Sequence, residues 1–360
     1  MHPTEERASI LSTDGKGLKV VVTGPTGDIG MAFLRQLDVA KGIDSIVGMA
    51  RRPFDPSEEG LTKVEYRQGD ILERESVDEL VDGADVVVHL AFLIMGSLEQ
   101  TRSINLEGSR NVFEAAFGAK VKRIVYTSSV AAYGFHDDHP PMITEDIPAR
   151  GSDNHYYSAQ KAELEEMIEK LGESFPSTDL FVLRPCVVAG PTALSLITEI
   201  PYVRMGDKVS EGAKKIVSSL PAMRPVVPDP GTPFQLVHED DVAQALVLSV
   251  QGRGDPGYYN LAGEGECTVS DLAHALNWYA VPVPDILMQG TAKLVQRIPY
   301  LPTSTQWIDA LRVPMLMDTT KARNKLGWEP NYNAMETLSE TVLGAREAGI
   351  VPWPDHVGPM

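Results

Sequence analysis

LKVVVTGPTGDIGMAFLRQL, residues 18–37, decides the fold. The β-branched run Val20, Val21 and Val22 leads into Gly24, Gly27 and Gly30, spaced three apart, and a stretch with helical spacing follows. This pattern predicts a strand over Leu18–Thr23, a tight turn, and a helix over Ile29–Ala40. Each glycine has its own task. Gly24 turns the chain sharply, Gly27 lets backbone approach a ligand, and Gly30 lets the helix pack near the strand. The helix N-terminus then offers unpaired N–H groups and the positive end of its dipole to a phosphate. The reading is a dinucleotide site. A glycine-rich turn with no ligand is the plain alternative.

The alternation continues outward from this stretch. Further strands are expected over Ser45–Ala50, Lys63–Gln68, Val86–Leu90, Arg123–Thr127 and Leu180–Leu183. Helices are expected over Ser76–Val81, Leu98–Phe117 and Tyr156–Phe175. Buried strands alternating with helices predict an α/β fold, a Rossmann-like doubly wound parallel sheet with right-handed connections. After Gly190, Pro and Gly become frequent and strand signals thin out. Phe234–His238, a helix from Asp240, and Tyr258–Leu261 read as added sheet elements. Residues 18–190 with 235–263 are therefore expected to form the dinucleotide-binding domain, behind an N-terminal tail, 1–17. Residues 191–234 with 264–360 are expected to form a smaller, mostly helical C-terminal substrate lobe.

Composition narrows the function classes. The chain has 360 residues, 43% hydrophobic and 23% charged, which is ordinary globular composition. A formal net charge of −18 argues against a nucleic-acid partner, which would call for a basic face. Cys186 and Cys267 are the only cysteines, too few for a disulfide scaffold or a thiolate metal site, and they suit a reducing interior. No run of 18 apolar residues exists, so no membrane span is expected. The N-terminus lacks the apolar core of a signal peptide, and a cytoplasmic location is the expectation.

Chemistry concentrates in two places. Tyr157 and Lys161, at i and i+4 of HYYSAQKAELEEMIEK, share one helix face. A lysine ammonium beside a phenol favours phenolate, so the tyrosine pKa is expected to fall from its usual value of about 10. Such a tyrosine exchanges a proton near neutral pH. Upstream, RIVYTSSVAAYG ends a strand in Ser128 and Ser129, at the carboxyl edge where ligands bind. A serine hydroxyl there can hold a substrate oxygen; a turn or a helix cap is its ordinary use. Between the two lies a long irregular stretch, Tyr133 to His155, expected to be a rim or lid, with a mobile surface loop as the alternative. Its His136, His139 and His155 lie among Asp137, Asp138 and Asp153 without regular ligand spacing, so no metal site is expected.

T-G-x-x-G-x-x-G at 23–30, S-S-x-x-x-Y-G at 128–134 and Y-x-x-x-K at 157–161 occur in this order. In that combination the chain resembles the extended short-chain dehydrogenase/reductase family, of the NAD-dependent epimerase/dehydratase-like kind. Gly69-Asp70-Ile71, His89-Leu90-Ala91, N-x-x-G-S-x-N-V from Asn105, RPCVVAGP around Arg184-Pro185, HEDDVA at 238–243 and LGWEP at 326–330 extend the likeness over residues 18 to about 345. The resemblance implies Tyr157 as acid/base and Lys161 as its partner, which also holds the nicotinamide ribose. It implies Ser129, before Ser128, as the residue orienting the reacting oxygen. Asn105 would support the active-site helix. Cofactor contacts would come from Gly24, Thr26, Gly27, Asp28, Ile29 and Gly30, from Leu90 and Ala91, from Asp70 and Ile71 at the adenine, and from Pro185, Val187 and Val188 near the carboxamide. A homodimer through the helices around 98–117 and 156–175 is also implied.

Cofactor choice turns on the end of the second strand. The place where an NAD site carries an acid holds Ala50, followed by Arg51 and Arg52. Arginine is a good phosphate fork, so NADP(H) is favoured, with NAD(H) as the alternative. Two departures bear on substrate. Nucleotide-sugar members often carry Asn where this chain has Val187, and Arg where it has Phe234. Without them a diphosphate lacks compensation. Phe92, with Leu93, Ile94 and Met95, also suits an apolar ligand. The function expected is NAD(P)-dependent interconversion of a carbonyl and a secondary alcohol on an uncharged, fairly apolar small molecule. A nucleotide-sugar epimerase or dehydratase is the second reading, and a non-enzymatic dinucleotide sensor the third.

Overall fold

The computed structural model describes residues 17–200, 203, 225–283 and 312–353. The glycine-rich stretch folds as a strand, β1 (Leu18–Thr23), a turn, and a helix, α1 (Asp28–Val39). The chain continues through β2 (Ile43–Ala50), β3 (Val64–Gln68), α2 (Arg74–Val81) and β4 (Val86–His89). Then come α3 (Leu98–Arg102), α4 (Ser109–Gly118), β5 (Arg123–Thr127), α5 (Tyr156–Gly172) and β6 (Asp179–Pro185). The segment expected as one helix over Leu98–Phe117 is divided. A π-helical turn, Ser103–Gly108, separates α3 from α4 and carries Asn105.

Beyond it lie β7 (Val187–Ala189), α6 (Ser195–Thr198), β8 (Val226–Asp229), β9 (Leu236–His238), α7 (Glu239–Val250) and β10 (Gly257–Leu261). The described C-terminal elements include α8 (Val269–Ala275), β11 (Tyr279–Pro282), a π-helical turn, Ala322–Leu326, and α9 (Ala334–Glu347).

Seven parallel strands form the central sheet in the order β10-β6-β5-β4-β1-β2-β3. The order reverses between β1 and β4, and such a reversal opens a crevice at the carboxyl ends of the strands. Central strands covered on both faces read as unbroken apolar runs. Val20, Val22, Val86 and Val88 face one buried cluster with Phe33 and Leu37 of α1; Val21 and Val87 face the other with Phe113 and Phe117 of α4.

The region after Gly190 differs from its reading. Tyr258–Leu261 does join the sheet, as the edge strand beside β6. The Phe234–His238 segment does not: β9 pairs with β7 in a separate two-stranded sheet. Residues expected as helix and loop supply β11, which pairs with β8. Trp328, fully buried, donates its indole N–H to the Asp241 carbonyl (2.8 Å), and the Asp241 carboxylate accepts from the Asn331 and Tyr332 N–H groups (2.7 and 3.1 Å). The acidic start of α7 in HEDDVA thus staples the C-terminal segment to the sheet. Among the described residues, no helix is long and apolar enough to cross a membrane.

Candidate active site

The glycine-rich turn uses its three glycines differently. Gly24 has φ +74°, and a Cβ there would lie 2.7 Å from the Ala91 backbone, where the chain leaves β4. A Cβ on Gly30 would lie 2.5 Å from the carbonyl oxygens of Gly24 and Pro25, so α1 seats directly on the turn. At Gly27 the chain excludes nothing: the nearest atom to a Cβ is 3.6 Å away. Gly27 also caps α1 without a side-chain hydrogen bond. This cradle fits a phosphate-bearing ligand on the helix N-terminus.

Around the crevice, Arg51 and Arg52 are exposed at the end of β2, and Arg52 Nη2 donates to the Thr26 carbonyl of the turn (3.3 Å). Asp70 accepts from the Leu72 N–H (3.0 Å), and Ile71 is buried under α4, whose Asn111 donates to the Ile71 carbonyl (3.0 Å). Asp28 is exposed and accepts from the Ser195 hydroxyl of α6 (2.8 Å). Val187 is 39% exposed, while Phe234 is half-buried against the cluster of Ile197, Leu236, Cys267 and Leu338.

The candidate reacting groups, Ser129, Tyr157 and Lys161, meet where β4, β5 and α5 converge. His155 caps α5 by accepting from the Ser158 N–H at 3.3 Å, which sets the register of Tyr157 and Lys161 on the inner face. Ser129, after β5, caps a short 3-10 turn (Val130–Tyr133), and its hydroxyl also hydrogen-bonds Tyr157. Ser128 is buried, its N–H donating to Leu183 O at 2.7 Å. Lys161 is 3% exposed; its ammonium donates to Thr127 O (2.9 Å) and Tyr126 Oη (3.3 Å). It also lies 3.9 Å above the Phe92 ring centroid, and that ring meets Tyr157 edge-on at 5.4 Å.

The electrostatics correct one expectation. Burial pushes the Tyr157 phenol above its ordinary pKa, opposed by the Ser129 hydroxyl; it is not lowered. Lys161 is instead pulled down to about 7 by burial, with Glu165 opposing. Its donors reach Thr127 and Tyr126, and the Tyr157 ring stands 6.0 Å away. The i, i+4 spacing puts both residues on one face, but burial sets the direction of both shifts.

Asn105 reaches neither Tyr157 nor Lys161 through its hydrogen bonds. Its amide oxygen accepts from Leu93 N–H (2.7 Å), and its nitrogen donates to Leu93 O (3.0 Å) and Gln160 Oε1 (2.7 Å). It fixes the segment after β4 to α5. Glu165 and Arg184, each 3% exposed, form a bidentate ion pair at 3.0 and 2.5 Å between α5 and β6. The sequence reading overlooked Glu165, although it continues the Tyr157 and Lys161 stripe by four residues.

The stretch from Tyr133 to His155 is tied down by hydrogen bonds. Ile143 exchanges backbone hydrogen bonds with Leu316 and Asp318, and Asn260 receives Tyr133 Oη at 2.7 Å. His136 and His139 spend their Nε2 atoms on the Gly151 and Gly134 carbonyls, both at 2.7 Å. Among the described residues no group of His, Cys, Asp and Glu is arranged to hold a metal.

Comparison with known proteins agrees with this crevice. The model of the NAD dependent epimerase/dehydratase family matches residues 20–262. The chain belongs to that family. It is 29% identical over 203 residues to 2-alkyl-3-oxoalkanoate reductase of Shewanella oneidensis, covering 54% of this chain and 51% of the reductase. It is 24% identical over 335 residues to an uncharacterized protein of Mycobacterium tuberculosis, covering 90% and 83%. A dTDP-glucose 4,6-dehydratase from Streptomyces venezuelae, solved with NAD bound, superposes with a TM-score of 0.66 at 21% identity, covering 92% and 97%. The last likeness is one of fold. The family assignment makes this chain an NAD-dependent epimerase/dehydratase-type oxidoreductase by class.

Proposed function

We propose that the protein interconverts a carbonyl and a secondary alcohol on an uncharged, fairly apolar small molecule, using a nicotinamide cofactor and Tyr157 as acid/base. The observation that carries this reading is the Ser129–Tyr157 hydroxyl pair beside the buried Lys161, walled by Phe92. The turn of Gly24, Thr26, Gly27, Asp28, Ile29 and Gly30 would hold the cofactor's pyrophosphate. Asp70 and Ile71 would flank its adenine, Leu90 and Ala91 its middle, and Pro185, Val187 and Val188 its nicotinamide end. When bound, the cofactor supplies or accepts the hydride.

The chain's own residues do the rest. The Ser129 hydroxyl donates to the substrate oxygen as charge grows on it. The Tyr157 hydroxyl gives that oxygen its proton in reduction and takes it back in oxidation. Lys161 would hold the cofactor's ribose, and while charged its ammonium, 6.0 Å from the Tyr157 ring centroid, favours phenolate. Asn105 keeps Leu93, and with it the Phe92 wall, against α5.

Arg51 and Arg52, exposed beside the turn with no carboxylate at Ala50, support NADP(H) over NAD(H). The partly exposed Val187 and the apolar setting of Phe234 support an uncharged substrate. The likeness to a 3-oxoalkanoate reductase supports carbonyl chemistry. Two buried thiols suit a reducing cytoplasm, and a homodimer is part of the same proposal. Likeness to the dTDP-glucose dehydratase supports the second reading, a nucleotide-sugar enzyme that returns the hydride to its own substrate. Arg204, Lys208, Lys214 and Arg224, which could compensate a diphosphate, lie outside the described residues.

A competition separates the two readings. UDP-, GDP- and dTDP-sugars and a panel of hydrophobic ketones and alcohols are offered with NADPH or NADH, or with the oxidised forms. Binding and nicotinamide absorbance are followed together. The proposal expects ketone-dependent NADPH oxidation and no micromolar binding of a sugar nucleotide. Micromolar binding of a sugar nucleotide, with NAD retained through purification and no net turnover, contradicts it.

A further inference from the structure

Phe92 is the first aromatic side chain after β4, and its surroundings are unusually well fixed. Its ring face carries the Lys161 ammonium at 3.9 Å, and the Tyr157 ring meets it at 87°. The backbone on its C-terminal side is gripped from α5 and the π-helical turn. Asn105 holds both the N–H and the carbonyl of Leu93, and Tyr156 donates its hydroxyl to the Ile94 carbonyl. Asn105 is itself tied to Gln160. Residues 156, 157, 160 and 161 of one helix therefore bear on this one short segment.

Lys161 needs such a partner. It is a buried cation, and the groups facing it offer little opposite charge. His89 of β4 is neutral, held down to about 3 by burial and by the Lys161 charge. Tyr126 of β5 is a phenol that burial keeps protonated, and Tyr157 of α5 is likewise raised. The carboxylate acting on Lys161 is Glu165, on its own helix, and that carboxylate is bidentate to Arg184. Two of the three ammonium protons go to the Thr127 carbonyl and the Tyr126 hydroxyl. The ammonium lies 3.9 Å over the Phe92 ring, nearer than the 5.0 Å to the Tyr126 ring centroid. A desolvated cation over an aromatic face is held by the ring quadrupole, which an aliphatic side chain lacks.

We propose that Phe92 is a positioning residue for Lys161: its ring holds the ammonium charged and in place beside Tyr157 through a buried cation–π contact. The inference rests on Tyr157 and Lys161 being the reacting pair. It adds a residue whose packing, and not only whose contact with substrate, sets the proton chemistry. It also assigns Tyr156 and Asn105 a shared task, that of holding the segment bearing this ring.

The sign of the effect follows from the contact. The ring favours the charged form of Lys161, so removing it lowers the pKa, and Lys161 loses its proton at lower pH. Activity that needs the charged lysine then fails earlier on the alkaline side. A desolvated cation–π contact corresponds to about one pH unit or more.

The test needs no substrate. Full-length protein carrying ¹³C-labelled lysine is titrated by NMR, with the Lys161 Cε resonance assigned by its loss in Lys161→Met. Wild type is compared with Phe92→Leu, Phe92→Met and Phe92→Trp, and thermal melts confirm folding. The midpoint is expected to fall by about one unit or more in the Leu and Met variants and to stay near wild type in the Trp variant. Two aliphatic variants guard against a failure of one to fold. An unchanged midpoint in the folded aliphatic variants overturns the proposal. So does a Trp variant that falls as far as they do, since that result marks a packing effect without a role for the π-face. The titration stands apart from turnover. A loss of carbonyl reduction as the function would leave this result intact, and an unmoved midpoint would leave Tyr157 as the acid/base.

Discussion

The convergence of Tyr157, Lys161 and Ser129 was legible because their order and spacing place them along one strand end and one helix face. Their electrostatics were not. The sequence shows that Lys161 follows Tyr157 by four, but burial raises one and lowers the other, and groups from elsewhere in the chain, Phe92 and Tyr126, pack against Lys161. His89 shows the same point in a measurable form. Its ring lies between the Thr23 hydroxyl (2.7 Å) and the Ser109 hydroxyl (2.8 Å), fully buried, with its pKa lowered to about 3 by burial and by Lys161. The unfolded chain binds this proton below about pH 6.5 and the folded chain does not. Stability is therefore unaffected above that pH and falls as pH drops toward about 3. By pH 5 this one residue costs about 2 kcal/mol. Urea unfolding at pH 7 and pH 5 should show wild type losing about that much more than His89→Gln. Equal losses in the two proteins would contradict the buried neutral imidazole.

At the scale of elements, the β1–turn–α1 unit separates folding from binding. Alanine at Gly30 would press its Cβ to 2.5 Å from two carbonyl oxygens, which only a shift of α1 relieves. We expect a loss of about 1–3 kcal/mol in stability. Alanine at Gly27 meets no chain atom within 3.5 Å and sits at φ −87°, so the fold should change by no more than about 1 kcal/mol. On the proposed reading the same methyl would occupy the phosphate cradle, and NADPH and NADH affinity should fall about tenfold or more. Melts and nicotinamide fluorescence titrations on both variants check this. Wild-type affinity in Gly27→Ala would show that the cofactor does not sit on this turn. The strand and helix were legible here because a short apolar run, a glycine triplet and a helical repeat follow each other within 20 residues. The π-turn at Asn105 was not, because its cause is the distant pairing of Asn105 with Leu93 and Gln160.

For the whole molecule, the parallel sheet followed from strand–helix alternation, since each buried strand announces itself locally. Apart from α7 and β10, the region after Gly190 did not, because its order is set by long-range pairing. β8 finds β11 some 50 residues away, and Trp328 reaches the carbonyl of Asp241. Such contacts leave no periodic trace in either partner. The sheet brings Ser129 after β5, Phe92 after β4 and Tyr157 with Lys161 of α5 to one crevice, where the proposed proton transfer runs through Tyr157. The most direct test mixes NADPH with a hydrophobic ketone that supports turnover and follows nicotinamide absorbance in wild type and Tyr157→Phe. The ring is kept and only the transferable proton is lost. Turnover should fall by about 10²-fold or more while NADPH affinity stays within about twofold of wild type. Wild-type turnover in Tyr157→Phe would contradict the account.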